Sequence, residues 1–268
     1  MPNIKLNERR FEAAEGATLL SLRQAVKPDA DVLVLNGAAM SADAVLSEGD
    51  EVCLIKRGEL PPPDELEALM TARHTPGVHD KMKAAAVGIA GLGGLGSAIA
   101  IALTRTGIGK LILADFDVIE PSNLNRQQYF VEQIGQPKTE ALKDNLARIN
   151  PYVAVEAHCV KLTPDNVVDL FGNVQVMIEA FDRADQKVML VQTFAPARPS
   201  TPLITASGLA GYGHESTLAV QKMATNIYVV GDLETAARPG CGLMAPRVGI
   251  AASMQANLAL RLIVEGRE

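Results

Sequence analysis

The chain carries a glycine turn, Gly91-Leu-Gly93-Gly94-Leu-Gly96, between an apolar run and a helical pattern. Glycines at this spacing permit a tight turn and close approach of a phosphate to the backbone. The helix start beyond them presents unpaired N–H groups that attract anions. A second apolar run, 110–114, ends on Asp115, nineteen positions after Gly96. A carboxylate at that place suits ribose hydroxyls. Strand, glycine turn, helix, strand and acid together point to a nucleotide site. They do not separate NAD from ATP, and that choice falls to the residues downstream.

Those residues are Asp117, Asn123, Arg126, Gln127, Lys138 and Asp182. Arg126 offers a planar fork for bidentate phosphate contacts, and Lys138 a compact point charge. They lie twelve positions apart, on a loop and at a helix start, free to converge on one pocket. Asp182 follows a strand end, where ligands sit in open α/β sheets. A carboxylate there suits Mg²⁺, which keeps several waters beside one or two carboxylates and phosphate oxygens. Each residue also has a structural alternative. Arg126 could clasp Asp117 or Glu120, Lys138 could be a solvated helix residue, and Asp182 could cap the next helix.

The elements that must position these groups alternate between β and α from Ala84 onward. After the glycine turn and the second strand, Pro137 suits the first turn of a helix running to Ile149. Strands follow at 153–158, 175–180 and 202–207, with helices at 164–171 and 184–194 between them. A hairpin over 216–230 and a closing helix at 246–264 complete the pattern, with Val248, Ala252, Gln255, Leu258 and Leu262 on one helix face. Residues 1–57 form a separate small α/β pattern. A hairpin turns at Asn7-Glu8, Thr18 caps a helix, and strands lie at 31–36 and 52–56. Pro61-Pro62-Pro63 is a stiff linker signal. The expected division is 1–58 for the small module, 59–83 for linker and short helix, and 84–268 for the nucleotide-binding domain.

Composition narrows the function classes. Net charge is −6 and the pI about 5.3, which disfavours a general nucleic-acid or anionic-membrane surface. Cys53, Cys159 and Cys241 are far apart and form no C-x-x-C pair, so a disulfide framework and a four-cysteine zinc site are not expected. Cys53 and Cys159 read as small buried hydrophobes on strands. The opening residues contain no long apolar run, and the expected setting is soluble and cytoplasmic, with no membrane span.

From Asp115-Phe-Asp117 through Ser122-Asn123-Leu-Asn125-Arg126-Gln127, the sequence resembles the ThiF/MoeB/HesA family, relatives of ubiquitin-activating enzymes. Further matches are the G-x-G-G-x-G turn, Gly135-Gln-Pro-Lys138, Asp182, and Gly242-Leu-Met-Ala-Pro246 ahead of Gln255-Ala256. The resemblance covers about residues 70–265. It implies a Rossmann-like, mostly parallel sheet with helices on both faces, binding ATP and Mg²⁺ and activating a carrier carboxylate. By that resemblance Gly91, Gly93, Gly94 and Gly96 floor the pocket and Asp115 holds the ribose, with Asp117 beside it. Asn123, Arg126 and Gln127 line the phosphate path, Lys138 contacts phosphates, and Asp182 binds Mg²⁺. Arg73 takes the place of a nucleotide-contacting arginine, and Cys241 that of an acceptor thiol, although the flanking patterns of both depart from the family. Lacking C-x-x-C pairs, the chain is similar to the zinc-free ThiF branch. A homodimer is implied as well.

Asn36-Gly37 and Gly49-Asp50-Glu-Val-Cys-Leu-Ile55 make the first module resemble ThiS-type ubiquitin-like (β-grasp) sulfur carriers. It has no terminal diglycine, so it cannot itself carry. The resemblance implies adenylation of the C-terminal glycine of a ThiS-like carrier in thiamine thiazole biosynthesis. Still open are a molybdopterin-type carrier, tRNA-linked threonylcarbamoyl, a non-catalytic docking protein and an NAD-dependent oxidoreductase.

Overall fold

The computed structural model describes residues 1–266, the side chains of Pro63 and Asp64 aside. The chain forms two compact units, 1–80 and from 81 onward. The first contains β1 (Asn3–Leu6), β2 (Arg9–Glu12), α1 (Leu19–Val26), β3 (Val32–Leu35), β4 (Ala38–Met40), β5 (Glu51–Ile55) and α2 (Pro63–Thr71). The sheet order is β2-β1-β5-β3-β4, with β1 and β5 parallel. Asn7 and Glu8 both take positive φ, 46° and 65°, which gives the β1–β2 turn the twist that two-residue hairpins require. Thr18 and Ser21 form a reciprocal capping box, and Leu19 and Leu22 bury against Ile4, Leu6, Val52 and Leu54.

The chain beyond β5 is held down. The Arg57 amide donates to Asp31 at 3.0 Å, Lys56 pairs with Asp29 at 2.6 Å, and Lys27 pairs with Glu59 at 3.0 Å. A β-grasp end that is tied back and continues into a helix has no free terminal carboxylate.

A short helix, α3 (Val78–Lys83), leads into the second unit. That unit comprises β6 (Ala86–Ala90), α4 (Gly94–Arg105), β7 (Lys110–Asp115), α5 (Lys138–Ile149), β8 (Ala154–Cys159), α6 (Val167–Phe171), β9 (Val176–Glu179), α7 (Ala184–Ala197), β10 (Leu203–Ala206), β11 (Ala219–Ala224), β12 (Ile227–Gly231) and α8 (Ala245–Glu265). The sheet runs β11-β12-β10-β9-β6-β7-β8, parallel except for β11. Strand order reverses between β6 and β9, which is the switch point where open α/β sheets bind ligands.

Helices cover both faces. Phe171 of α6 and Leu190 and Phe194 of α7 pack with Ile112, Ala114 and Met177. A Cβ on Gly88 would come within 2.6 Å of the Phe171 ring, so the strand is thinned there to admit it. On the other face α4 packs against α8. By length and composition α8 could cross a membrane, but nine of its residues are buried in this fold, including Val248, Ala252, Gln255, Leu258 and Leu262. One sequence expectation fails outright: Cys159, at the end of β8, is exposed, whereas Cys53 in β5 is buried. β8 is an edge strand and Cys159 is its last residue, so the partly buried face that Val155 and Ala157 share with it ends there in an exposed position.

Candidate active site

A cavity of about 610 Å³ opens in the second unit at the C-terminal ends of β6, β7, β9 and β10. Its floor is the glycine turn. Gly91 sits at φ 90°, and a Cβ there would lie 2.9 Å from the Ala180 carbonyl. Gly96 does not line the cavity. Instead it lets α4 press onto the turn, because a Cβ would collide with the Gly91 carbonyl oxygen. Gly93 and Gly94 do line the cavity, and Gly94 leaves room for the aliphatic stem of Arg126 at 3.2 Å.

Asp115 closes one side. Its carboxylate accepts from the Leu92 amide at 2.7 Å and the Asp117 amide at 2.8 Å, which joins the glycine turn to the end of β7. Burial pushes its pKa up, against the opposing pull of Lys138 and those two amides. The buried Tyr129 hydroxyl donates to the Leu92 carbonyl at 2.8 Å and braces the same turn.

Lys138 is buried, with 6% exposure, so it is not a solvated helix residue. Its Nζ lies 2.9 Å from Asp117 Oδ2, and its amide donates to the Asp117 carbonyl at 3.0 Å. A cation in the first turn of a helix opposes the helix dipole, and Asp117 offsets that cost. Arg126 clasps neither Asp117 nor Glu120. Its Nη1 donates to the Asn125 side chain at 2.8 Å and the Ser122 carbonyl at 3.3 Å, both neutral. Gln127 is buried beside it, and its Oε1 has no protein partner among the described residues.

Asp182 is exposed on the cavity wall and accepts no hydrogen bond among the described residues. It does not cap α7, whose N-cap is Arg183 with no side-chain cap bond. Among the described residues no group of three or more His, Cys, Asp and Glu is gathered to hold a metal. A single carboxylate without a hydrogen-bond partner among the described residues, on the wall of this cavity, still fits Mg²⁺, which completes its shell with phosphate oxygens and water.

Three other sequence candidates lie off the cavity. Asn123 turns inward, its Oδ1 accepting from the Glu120 amide at 3.1 Å to close a 3-10 turn. Arg73 is exposed and belongs to the first unit. Cys241 is partly exposed in a turn bridged to Arg238, with its sulfur against Gly211. Cys241 is not among the residues that line the cavity.

One pair was not foreseen. Glu179 is fully buried at the end of β9, and both its oxygens approach Lys187 Nζ, at 2.9 and 3.1 Å. Glu179 also accepts from the Phe181 amide at 2.6 Å, and Lys187 donates to the Ala206 carbonyl at 3.0 Å. Burial pushes the Glu179 pKa up, and Lys187 opposes it. The pair ties the ends of β9 and β10 at the cavity edge, where Lys187 is a lining residue. The available signal was a lone glutamate in the apolar run 175–180.

The lining cations therefore differ. Lys138, Arg183 and Lys187 each have a carboxylate partner, whereas Arg126 has only neutral ones among the described residues. The glycine turn, the partly buried Asp115, Arg126 with its neutral partners and the exposed Asp182 share one cavity. Residues 67–268 match the ThiF family, and residues 3–58 match the ThiS-like ubiquitin family. The chain belongs to the ThiF family. It is 30% identical to a molybdopterin-synthase adenylyltransferase of Salmonella typhimurium over 188 residues, which is 69% of this chain and 75% of that protein. It is 42% identical to ubiquitin-like modifier-activating enzyme 5 of Caenorhabditis elegans, over 95 residues that make up 35% of this chain and 23% of that protein. In fold it is similar to E. coli tRNA N6-threonylcarbamoyladenosine dehydratase, TcdA, in complex with ATP. That likeness has a TM-score of 0.68 and 22% identity, and covers 77% of this chain and 98% of that one. In this ThiF-family chain the N-terminal ThiS-like module and the nucleotide-fold unit are parts of one polypeptide.

Proposed function

We propose that this protein uses ATP to adenylate the C-terminal carboxylate of a ubiquitin-like sulfur carrier. Adenylation sets a carboxylate against a polyanionic phosphate chain, so the repulsion must be offset by fixed positive charge. In this reading a carrier carboxylate oxygen attacks the α-phosphorus of ATP. The new C–O–P bond forms as the α–β bridging P–O bond breaks, and pyrophosphate leaves with the electron pair.

Asp115 retains free lone pairs beyond its two backbone bonds and accepts the ribose hydroxyls. Arg126, with no carboxylate to release first, takes the phosphates, and Lys138 adds charge from behind Asp117. Asp182 would hold Mg²⁺, which when bound supplies charge neutralisation of the phosphate oxygens. The rest is positioning by the rigid turn. The observation that supports this most is that Arg126 and Asp182, neither in an ion pair among the described residues, line one cavity floored by the glycine turn.

For the finer substrate, the ThiS-like module at residues 3–58 favours a ThiS-type carrier and the thiazole of thiamine. A molybdopterin-type carrier is the second reading, favoured by the Salmonella relative. The test is carrier-dependent ATP–pyrophosphate exchange with purified ThiS-type and molybdopterin-type carriers, with Asp182→Ala as control. Exchange with the first alone is expected. No exchange with any carrier, or NAD binding in place of ATP, would sink the reading.

A further inference from the structure

Two irregular segments supply a part of the cavity wall that holds none of the residues assigned to the nucleotide above. One follows β10 (207–218) and the other follows β12 (232–244), and together they contribute Gly208, Leu209, Ala210, Thr235, Ala236 and Leu243. A few backbone bonds join them, among them Ala210 to Thr235 at 3.1 Å and Gly211 to Gly242 at 2.8 Å. The backbone there is strained. Leu233 sits at φ 65°, a conformation that non-glycine residues hold only where their surroundings fix it. Gly208, at φ 76°, passes so close that a Cβ would strike the Asp232 carboxylate.

One buried arginine bonds to both segments. Arg247, the third residue of α8, is 4% exposed and lines no cavity. Its guanidinium donates to the carbonyls of Gly213 at 3.0 Å and His214 at 3.3 Å. It also donates to Thr217 Oγ1 at 3.1 Å and Asp232 Oδ2 at 2.7 Å. Asp232 in turn accepts from the amides of Glu234 and Thr235, each at 2.8 Å, and from the Thr235 hydroxyl. Burial pushes the Asp232 carboxyl up, but these hydrogen bonds and Arg247 outweigh it and hold it below its ordinary value. A cation in the first turn of a helix is otherwise unfavourable. Here it faces one carboxylate and three neutral acceptors drawn from both segments.

We propose that Arg247 and Asp232 form a positioning clasp that holds the two wall segments against α8. The clasp sets the fit of the macromolecular carboxylate substrate rather than of the nucleotide. It acts through Thr235 and the 208–210 backbone, since neither charged residue reaches the cavity. The substrate assignment rests on the adenylation reading above; the mechanical role does not.

Hydrogen–deuterium exchange on the full chain tests the mechanical role. Arg247→Lys keeps the charge but loses the planar fork, and Asp232→Asn keeps the shape but loses the charge. Thr217→Val removes one arginine contact and the hydroxyl's bond to the His214 carbonyl, and serves if the others fold poorly. Each is expected to speed amide exchange in 208–217 and 232–243, roughly tenfold for the first two, with β6 and α4 unchanged. In pyrophosphate exchange the carrier KM is expected to rise about tenfold with little change in kcat, while the ATP Kd measured by calorimetry stays constant. Unchanged amide exchange in both segments for all three variants would overturn the clasp, as would an ATP Kd that rises as much as the carrier KM. If the unsubstituted protein activates no carrier, the adenylation reading falls, and amide exchange alone decides the clasp.

Discussion

Arg126 and Asp182 are distinguished less by being charged than by having no ion-pair partner among the described residues. Lys138 and Lys187 line the same cavity, yet each is already held by a carboxylate. Replacing Asp182 with Ala should lower the rate of pyrophosphate exchange by about 10²–10³, the usual cost of one preorganised electrostatic partner. Arg126→Lys, which keeps charge but not the bidentate fork, should lose at least about tenfold. Steady-state exchange at saturating carrier reads both, and wild-type rates in either variant would remove that residue from the mechanism. The cysteines give a check that needs no substrate. Burial pushes the Cys53 thiol up to about 11, so it is poorly nucleophilic as well as inaccessible. Cys159 is exposed and Cys241 partly so. Iodoacetamide should modify Cys159 first, then Cys241, and Cys53 only after unfolding, as peptide mass mapping over time would show.

Among the elements, the contact between α4 and the strand before it decides whether the cavity has a floor. Gly96 contributes no atom to the cavity but sets how closely the helix start approaches Gly91. Because the obstacle to a Cβ is backbone, the strain of Gly96→Ala cannot be relieved by a rotamer change. About 3 kcal/mol of lost stability is expected from such overpacking, with weaker ATP binding from the displaced turn. Urea denaturation followed by circular dichroism measures the first, and a loss below about 0.5 kcal/mol would contradict this account of the turn. The Glu179–Lys187 pair works at the same scale. It fastens β9 to β10 beside Asp182, so that carboxylate extends from a braced strand end.

For the whole molecule, ligand linkage is the readout. A nucleotide that binds only the folded state at about a hundred times its Kd adds about 2.7 kcal/mol. For a unit of this size that corresponds to a midpoint shift of roughly 5–10 °C. ATP with Mg²⁺ should raise the thermal midpoint by that amount in calorimetry, NAD should not, and Arg126→Lys should blunt the ATP effect. An equal rise with NAD would return the site to the dinucleotide alternative. The first unit should be untouched by either nucleotide, because every lining residue of the cavity belongs to the second.

Much was legible in the chain alone. Glycine spacing, apolar runs and turn residues are local signals. They placed the β-α alternation, the Thr18 cap and the buried face of α8. The chemistry-bearing residues Asp115, Arg126, Lys138 and Asp182 were legible as types at a spacing. The short elements β4 and α3 were not, because three or six residues carry too little periodicity to show. Nor was the pairing of charges. That Lys138 is held by Asp117 while Arg126 is not, that Asn123 turns inward, and that Glu179 finds Lys187 depend on where strand ends and helix starts meet. The Arg247–Asp232 clasp joins residues from α8 and two loops with no sequence pattern between them. Local sequence determined which groups were available. Only the packing of the sheet against its helices decided which were neutralised and which were left free for a ligand.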